Sequence, residues 1–130
     1  MAVTHSTTVR TALATAVKDA IDAGAGAGKL VFRLTGTVGS PGTAVATLTL
    51  TDPCGSVSSG VLTFSAITSD TNAAGNASAV AAATLQTSAD AICVHCAVAA
   101  SGSDINMSGG LTVASGDTVS CSSLTYTAPN

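Results

Sequence analysis

The chain opens with a helical pattern of apolar positions and continues with strand patterns. Within residues 7–23, apolar side chains recur at spacings of four, three and one, which places them along one side of a helix. They are Val9, Leu13, Ala16, Val17, Ala20 and Ile21. We expect the Ser6 hydroxyl to cap the first turn, and Gly24 to end the helix in the left-handed conformation. The sequence thus predicts one amphipathic helix of mostly small side chains.

Beyond a hinge of glycine and alanine at residues 24–28, alternation of apolar and polar residues predicts short strands. Segment 77–86 is ambiguous, because its alanines favour a helix while its valine, leucine and flanking polar turns favour a strand. We interpret it as a strand and segment 54–60 as a loop. The predicted strands occupy residues 29–36, 43–51, 61–67, 77–86, 91–99, 105–107, 111–113 and 118–127.

This pattern predicts a mainly β fold. Seven to eight short strands, separated by turn signals roughly every 8–12 residues, are typical of an antiparallel β-sandwich or jelly roll. The connections are too short for parallel crossovers, so we expect antiparallel pairing throughout. A chain of 130 residues is predicted to form a single domain, 1–130. In it, residues 1–28 form the lead-in, the N-terminal helix and the hinge, and residues 29–130 form the sandwich.

Composition suggests a thin core and a weakly charged surface. Hydrophobic residues make up 46% of the chain, but aromatic residues only 2% and charged residues 8%. Because alanine buries much less surface than leucine or phenylalanine, we expect part of the stability to come from a partner surface or from self-association. A net charge of −3 with four basic residues argues against nucleic-acid binding. The longest apolar runs fall short of the ~20 residues that cross a bilayer, and no signal peptide is visible, so we expect no membrane association.

The candidate metal ligands are Cys93, His95 and Cys96. Two thiolates and an imidazole could hold zinc, with Cys54 or Cys121 as a fourth ligand. However, strand alternation places Cys96 on the side opposite Cys93 and His95. We therefore expect no metal site and no cofactor, with free thiols in a chain that lacks a secretory signal.

Carboxylates and serines offer little further chemistry. Asp70, Asp104 and Asp117 lie in predicted turns, where an aspartate usually caps the turn through its own side chain, although adjacent turns can also converge on calcium. The serines beside glycines lack a strand-to-helix elbow, and no general base with an orienting carboxylate is evident. We therefore expect that the protein is not an enzyme.

A resemblance to a known family is carried by seven segments, at residues 5–10, 21–24, 46–53, 66–71, 103–107, 116–120 and 123–127. They resemble segments of small structural proteins of tailed bacteriophages, of the capsid cement or decoration family. The similarity covers nearly the whole chain, but its motifs are structural, and the cysteines depart from the family pattern. It implies a structural virion protein that binds the outside of the phage head and stabilises the shell. The major capsid protein would be its partner, and the protein would be a homo-oligomer, a dimer or trimer, located on the virion.

Under this hypothesis, the helix supplies the surface that contacts the capsid. We predict that this interface contains Val9, Leu13, Val17 and Ile21. A phage tail, fibre or head-associated adhesin module is an alternative, although Tyr126 is the only tyrosine and tryptophan is absent, which disfavours sugar binding. A small enzyme or metal-binding protein is the remaining alternative.

Overall fold

The computed structural model describes residues 3–130 and has a mainly β fold with one helix, as predicted. The helix α1 spans Thr7–Ile21. Eight strands follow it. They are β1 (Lys29–Arg33), β2 (Ala44–Thr49), β3 (Gly55–Ser58), β4 (Val61–Phe64), β5 (Ala82–Gln86), β6 (Ile92–Ala99), β7 (Ile105–Asn106) and β8 (Thr125–Thr127).

The strands form two sheets. The larger sheet has the order β2-β1-β5-β6-β7, and the smaller has the order β3-β4-β8. Neighbours are antiparallel except for β6 and β7, where Val98 pairs with Ile105 in parallel. The prediction of antiparallel pairing throughout is wrong there. The short loop between these strands needs no long crossover, because β7 lies beside only the last two residues of β6.

A bulge changes the side-chain alternation of β2. The register shifts between Phe32 and Arg33 of β1, so that Ala46 pairs with Phe32 and Ala44 with Arg33. The extra residue, Val45, therefore points to the core together with its neighbour Ala46. Strict alternation had placed these two side chains on opposite faces.

The predicted loop at residues 54–60 is wrong, because most of it forms a β-hairpin with the next segment. Ser59 and Gly60 connect β3 and β4, with φ of 50° and 79°. Positive φ at both central residues is the geometry of a two-residue hairpin turn, whose twist matches that of its strands. The small residues of β3 gave no alternating pattern, so only pairing with β4 reveals this strand.

Two other predicted strands are shorter than expected or missing. Residues 111–113 form no strand, although the carbonyls of Leu111 and Val113 accept hydrogen bonds from Val80 and Asn76. Of residues 118–127, only β8 is a strand, and Val119 makes an isolated bridge to Asp70. These segments have strand-like sequences but meet single residues of a loop instead of a neighbouring strand.

The caps of α1 agree with the sequence at one end only. The Ser6 hydroxyl accepts a hydrogen bond from the Val9 N–H at 3.3 Å, as predicted. The predicted left-handed cap at Gly24 is wrong, because the helix ends at Asp22 with φ −82° and ψ 0°. The Asp22 carboxylate also accepts from the Cys54 N–H at 2.9 Å, so the residue that caps the helix also joins it to the segment that precedes β3.

The helix and both sheets contribute to one buried cluster. Ala14 and Ile21 of α1 are fully buried in it, together with Leu30 and Leu48 of the larger sheet and Leu62 of the smaller one. The single-domain prediction is consistent with this cluster and stays a prediction.

We predict that Ile21→Ala destabilises the protein by about 2–5 kcal/mol, because it leaves a cavity where a fully buried side chain packed. Leu13→Ala is the matched control on the same helix, and since Leu13 is 38% exposed, its cost is expected to be about 1 kcal/mol or less. Urea unfolding followed by circular dichroism measures both. Equal losses would contradict the helix orientation described here.

Candidate docking face on the helix

The helix α1 carries two apolar stripes, one buried and one exposed. The buried stripe contains Ala14, Val17 and Ile21, with Arg10 at its amino end. The exposed stripe, which we call the outer helix face, is displaced by one residue and is therefore rotated by about 100° around the helix axis. It consists of Val9, Leu13, Ala16 and Ala20.

Polar contacts fix which stripe faces inward at the start of the helix. The Arg10 guanidinium donates a hydrogen bond to the Ala128 carbonyl at 3.3 Å, and the Thr11 hydroxyl accepts one from the Gly60 N–H at 3.0 Å. Gly60 is suited to this contact, because a Cβ there would lie 2.9 Å from the Cβ of Arg10. Arg10 and Thr11, which are not part of the predicted apolar stripe, therefore lie against the β3–β4 hairpin.

A second group of contacts holds the end of the helix. Lys18 donates to the Asp22 carboxylate at 3.2 Å, and this hydrogen bond is the main cause of the raised pKa of Lys18. Asp22 in turn lies beside the fully buried Cys54. Burial first, and the negative charge of Asp22 second, raise the pKa of the Cys54 thiol to about 12. This thiol is a buried apolar group rather than a nucleophile.

The predicted interface residues separate into two groups. Ile21 is fully buried within the protein, so its assignment to a partner interface is wrong. Val17 is partly buried against the core, and its contact with a partner stays a prediction. Val9 and Leu13 are 45% and 38% exposed, and their contact with a partner stays a prediction. Ala16 and Ala20 directly precede Val17 and Ile21 and are also apolar. Periodicity alone therefore does not distinguish the buried stripe of the helix from the exposed stripe, which is displaced by one residue.

The candidate metal ligands lie on β6. Cys93 and Cys96 are partly buried, and burial raises the pKa of both thiols, that of Cys96 to about 11. His95 pairs with Thr84 of β5, and Cys96 pairs with Ala83 one position along, so their side chains point to opposite faces of the sheet. Within residues 3–130, no group of three His, Cys, Asp or Glu side chains is placed to hold a metal ion.

The aspartates that could have bound calcium instead accept hydrogen bonds from backbone N–H groups. Asp70 accepts from Asn72 and Asp117 from Ala114, both within turns, as the capping interpretation predicted. Asp104 accepts from Ala97 at 2.9 Å, across the end of β6. Each carboxylate satisfies the backbone near it.

A chain of polar side chains that the sequence did not indicate crosses the larger sheet. Arg33 donates to the Thr84 hydroxyl at 3.1 Å, to the Gln86 amide oxygen at 3.1 Å and to the Gly42 carbonyl at 2.7 Å. Gln86 then donates to Asp90 at 2.8 Å, which also forms an ion pair with Lys29 at 2.7 Å. These contacts join β1, β5 and two loops. We assign this network of side chains a structural role in bracing the sheet. The Nε and both Nη nitrogens of the Arg33 guanidinium already donate hydrogen bonds to other residues.

Comparisons with known proteins do not identify a relative. A scan against protein-family models, a search of curated proteins and a search of solved structures each find no match. Among residues 3–130, no helix has the length and apolar character needed to cross a membrane.

We predict that Cys54 makes stability fall at alkaline pH. Its folded pKa of about 12 lies above the ordinary value of 9.0, so the folded protein retains a proton that the unfolded chain loses. The contribution of Cys54 to the free energy of unfolding is complete below about pH 9 and is lost as the pH rises towards 12. Urea midpoints measured between about pH 8 and pH 11 should therefore decline less steeply for Cys54→Ala than for the native chain. Parallel profiles for the two proteins would contradict this assignment.

Proposed function

We propose that this protein is a structural component of a virion, a cement or decoration protein that binds the outside of a bacteriophage head. The observation that carries the proposal is the outer helix face. Val9 and Leu13 are large apolar side chains that remain exposed on a helix whose other face is fixed to the sheets. An exposed apolar face of this kind favours burial against another protein.

The surroundings of this face suit a docking role. Ala16 and Ala20 continue the stripe with small side chains, which let another backbone approach closely. The Arg10 and Asp22 contacts hold both ends of the helix, so docking needs little additional ordering of this surface. Formal charge is low, at seven acidic and four basic side chains in 130 residues, so contact through shape and apolar area is favoured over electrostatic attraction.

The same proposal includes the finer architecture and the assembly. Side chains of both sheets enter one core, which supports a β-sandwich arrangement as the rigid support for the helix. The major capsid protein is the proposed partner, and many repeated contacts on a shell would compensate for weak individual ones. The virion is the proposed location, and a dimer or trimer is the proposed assembly.

The direct test is the copy number of this chain in purified phage particles, measured by quantitative mass spectrometry relative to the major capsid protein. We expect a number comparable with that of the shell subunits, because a cement protein occupies repeated sites of the lattice. A few copies in each particle would instead indicate a tail or fibre component. Absence from particles would overturn the virion proposal.

A substitution tests the docking face itself. Leu13→Asp should weaken binding to capsids by about tenfold or more, because docking would then desolvate an unpaired carboxylate where the native chain buries apolar surface. Thr8→Asp is the matched control, since it introduces the same charge at an exposed position of α1 that lies about 140° around the helix from Leu13. Co-sedimentation with capsids measures binding, and circular dichroism verifies the fold. If both variants bind as the native protein does, this helix face is not the docking site.

A further inference from the structure

A groove of about 340 Å³ lies between the two sheets. Strand β6 of the larger sheet borders one side, and strand β8 of the smaller sheet borders the other. Apolar side chains that pack against the core line it, namely Leu85, Val94, Ile105, Leu124 and Tyr126. The groove therefore combines these apolar side chains with polar ones, Asp104 and His95 among them, and with the backbone of two strands.

The backbone of β6 faces this groove at His95. The N–H of Val98 donates to Ala81, so alternate residues of β6 hydrogen bond with β5 and the residues between them point away. Of these outward residues, Ala97 already donates its backbone N–H to the Asp104 carboxylate at 2.9 Å. Within residues 3–130, the outward backbone groups of His95 have no such partner.

The backbone of β8 faces the same groove from the other side. The Leu124 carbonyl accepts from Phe64, and the Ala128 N–H donates to Gly60, so these residues point to β4. Thr125 and Thr127 lie between them in the alternation and point to the opposite side. In the part of the chain that the structure describes, β4 is the sole strand paired with β8. A strand placed in the groove would therefore meet outward backbone groups of β6 or β8.

We propose that this groove receives the N-terminal segment Val3–Ser6 of a second copy of the chain as an added β-strand. Residues 3–6 are exposed and precede the helix without regular secondary structure, and Val3 is 79% exposed. Val3 and Thr4 are β-branched and favour strand geometry. Four residues are enough to pair along the three-residue strand β8. Alternation would direct Val3 and His5 to one side of the added strand, so that Val3 covers the apolar lining.

The segment of the same chain does not fill its own groove, which leaves the groove open to a second copy. The Arg10–Ala128 hydrogen bond places the start of α1 beside the residue that follows β8. In this arrangement residues 3–6 remain exposed, and they are not among the residues that line the groove of their own chain. A second copy can present the segment along the groove and receive one in return, which gives two equivalent contacts. This self-association does not depend on the proposed capsid role, because it requires this chain alone.

Substitutions in the exposed segment test the proposal without disturbing the core. The native chain should associate with increasing concentration in sedimentation equilibrium. Thr4→Pro should weaken that association by about tenfold or more, because proline removes an N–H that the added strand would donate. Thr4→Ala keeps the N–H and should weaken it much less. A native chain that remains monomeric throughout, or equal association of the two variants, would overturn the proposal.

Disulfide trapping identifies where the segment binds. Cys96 lines the groove, so Val3→Cys should form a disulfide with it when an oxidant is added. We expect a covalent dimer joined between position 3 of one copy and Cys96 of the other, identified by peptide mapping of two differently tagged copies. The dimer should disappear when Val3→Cys is combined with Cys96→Ser. A bond within one chain, or one mapped to Cys93 or Cys121 alone, would overturn the assignment.

Discussion

The close packing of α1 against the β3–β4 hairpin is the constraint on which the rest of the structure depends. A helix with Ala14 at the centre of its buried stripe gains little from side-chain area, so it must lie near the strands to exclude water. Gly60 permits that approach at one end of the helix, because any larger residue would meet Arg10. The orientation of the outer helix face follows directly from this packing.

Polar contacts supply much of the specificity that this thin core lacks. At the two ends of the helix, Arg10 and Asp22 bind backbone groups of distant residues, Ala128 and Cys54. Across the larger sheet, Arg33 connects strands and a loop through three separate acceptors. Satisfied hydrogen bonds of this kind contribute modestly to stability, but leaving one of their buried partners unsatisfied is costly. They therefore restrict the chain to one arrangement where small apolar side chains would tolerate several.

Strand edges are treated in two ways in this fold. Asp70 and Asp104 each accept a backbone N–H at the edge of the larger sheet, from Thr47 and Ala97, which protects those positions from pairing with another chain. The groove between β6 and β8 instead combines outward backbone groups with an apolar lining. The outer helix face and this groove lie on different elements, so docking to a shell and association between copies are separable in this molecule.

The sequence by itself determined the mainly β class, the single helix with its Ser6 cap, and most strand positions, because these follow from local periodicity and turn chemistry. It also identified Val9 and Leu13 as an apolar surface of the helix, but it grouped them with Ile21, which is buried. Only the tertiary structure decided the rotation of the helix, since contacts to Gly60, Ala128 and Cys54 come from residues distant in sequence. The strand β3, the parallel β6–β7 pair and the groove likewise depend on long-range pairing, which a pattern of neighbouring residues does not encode.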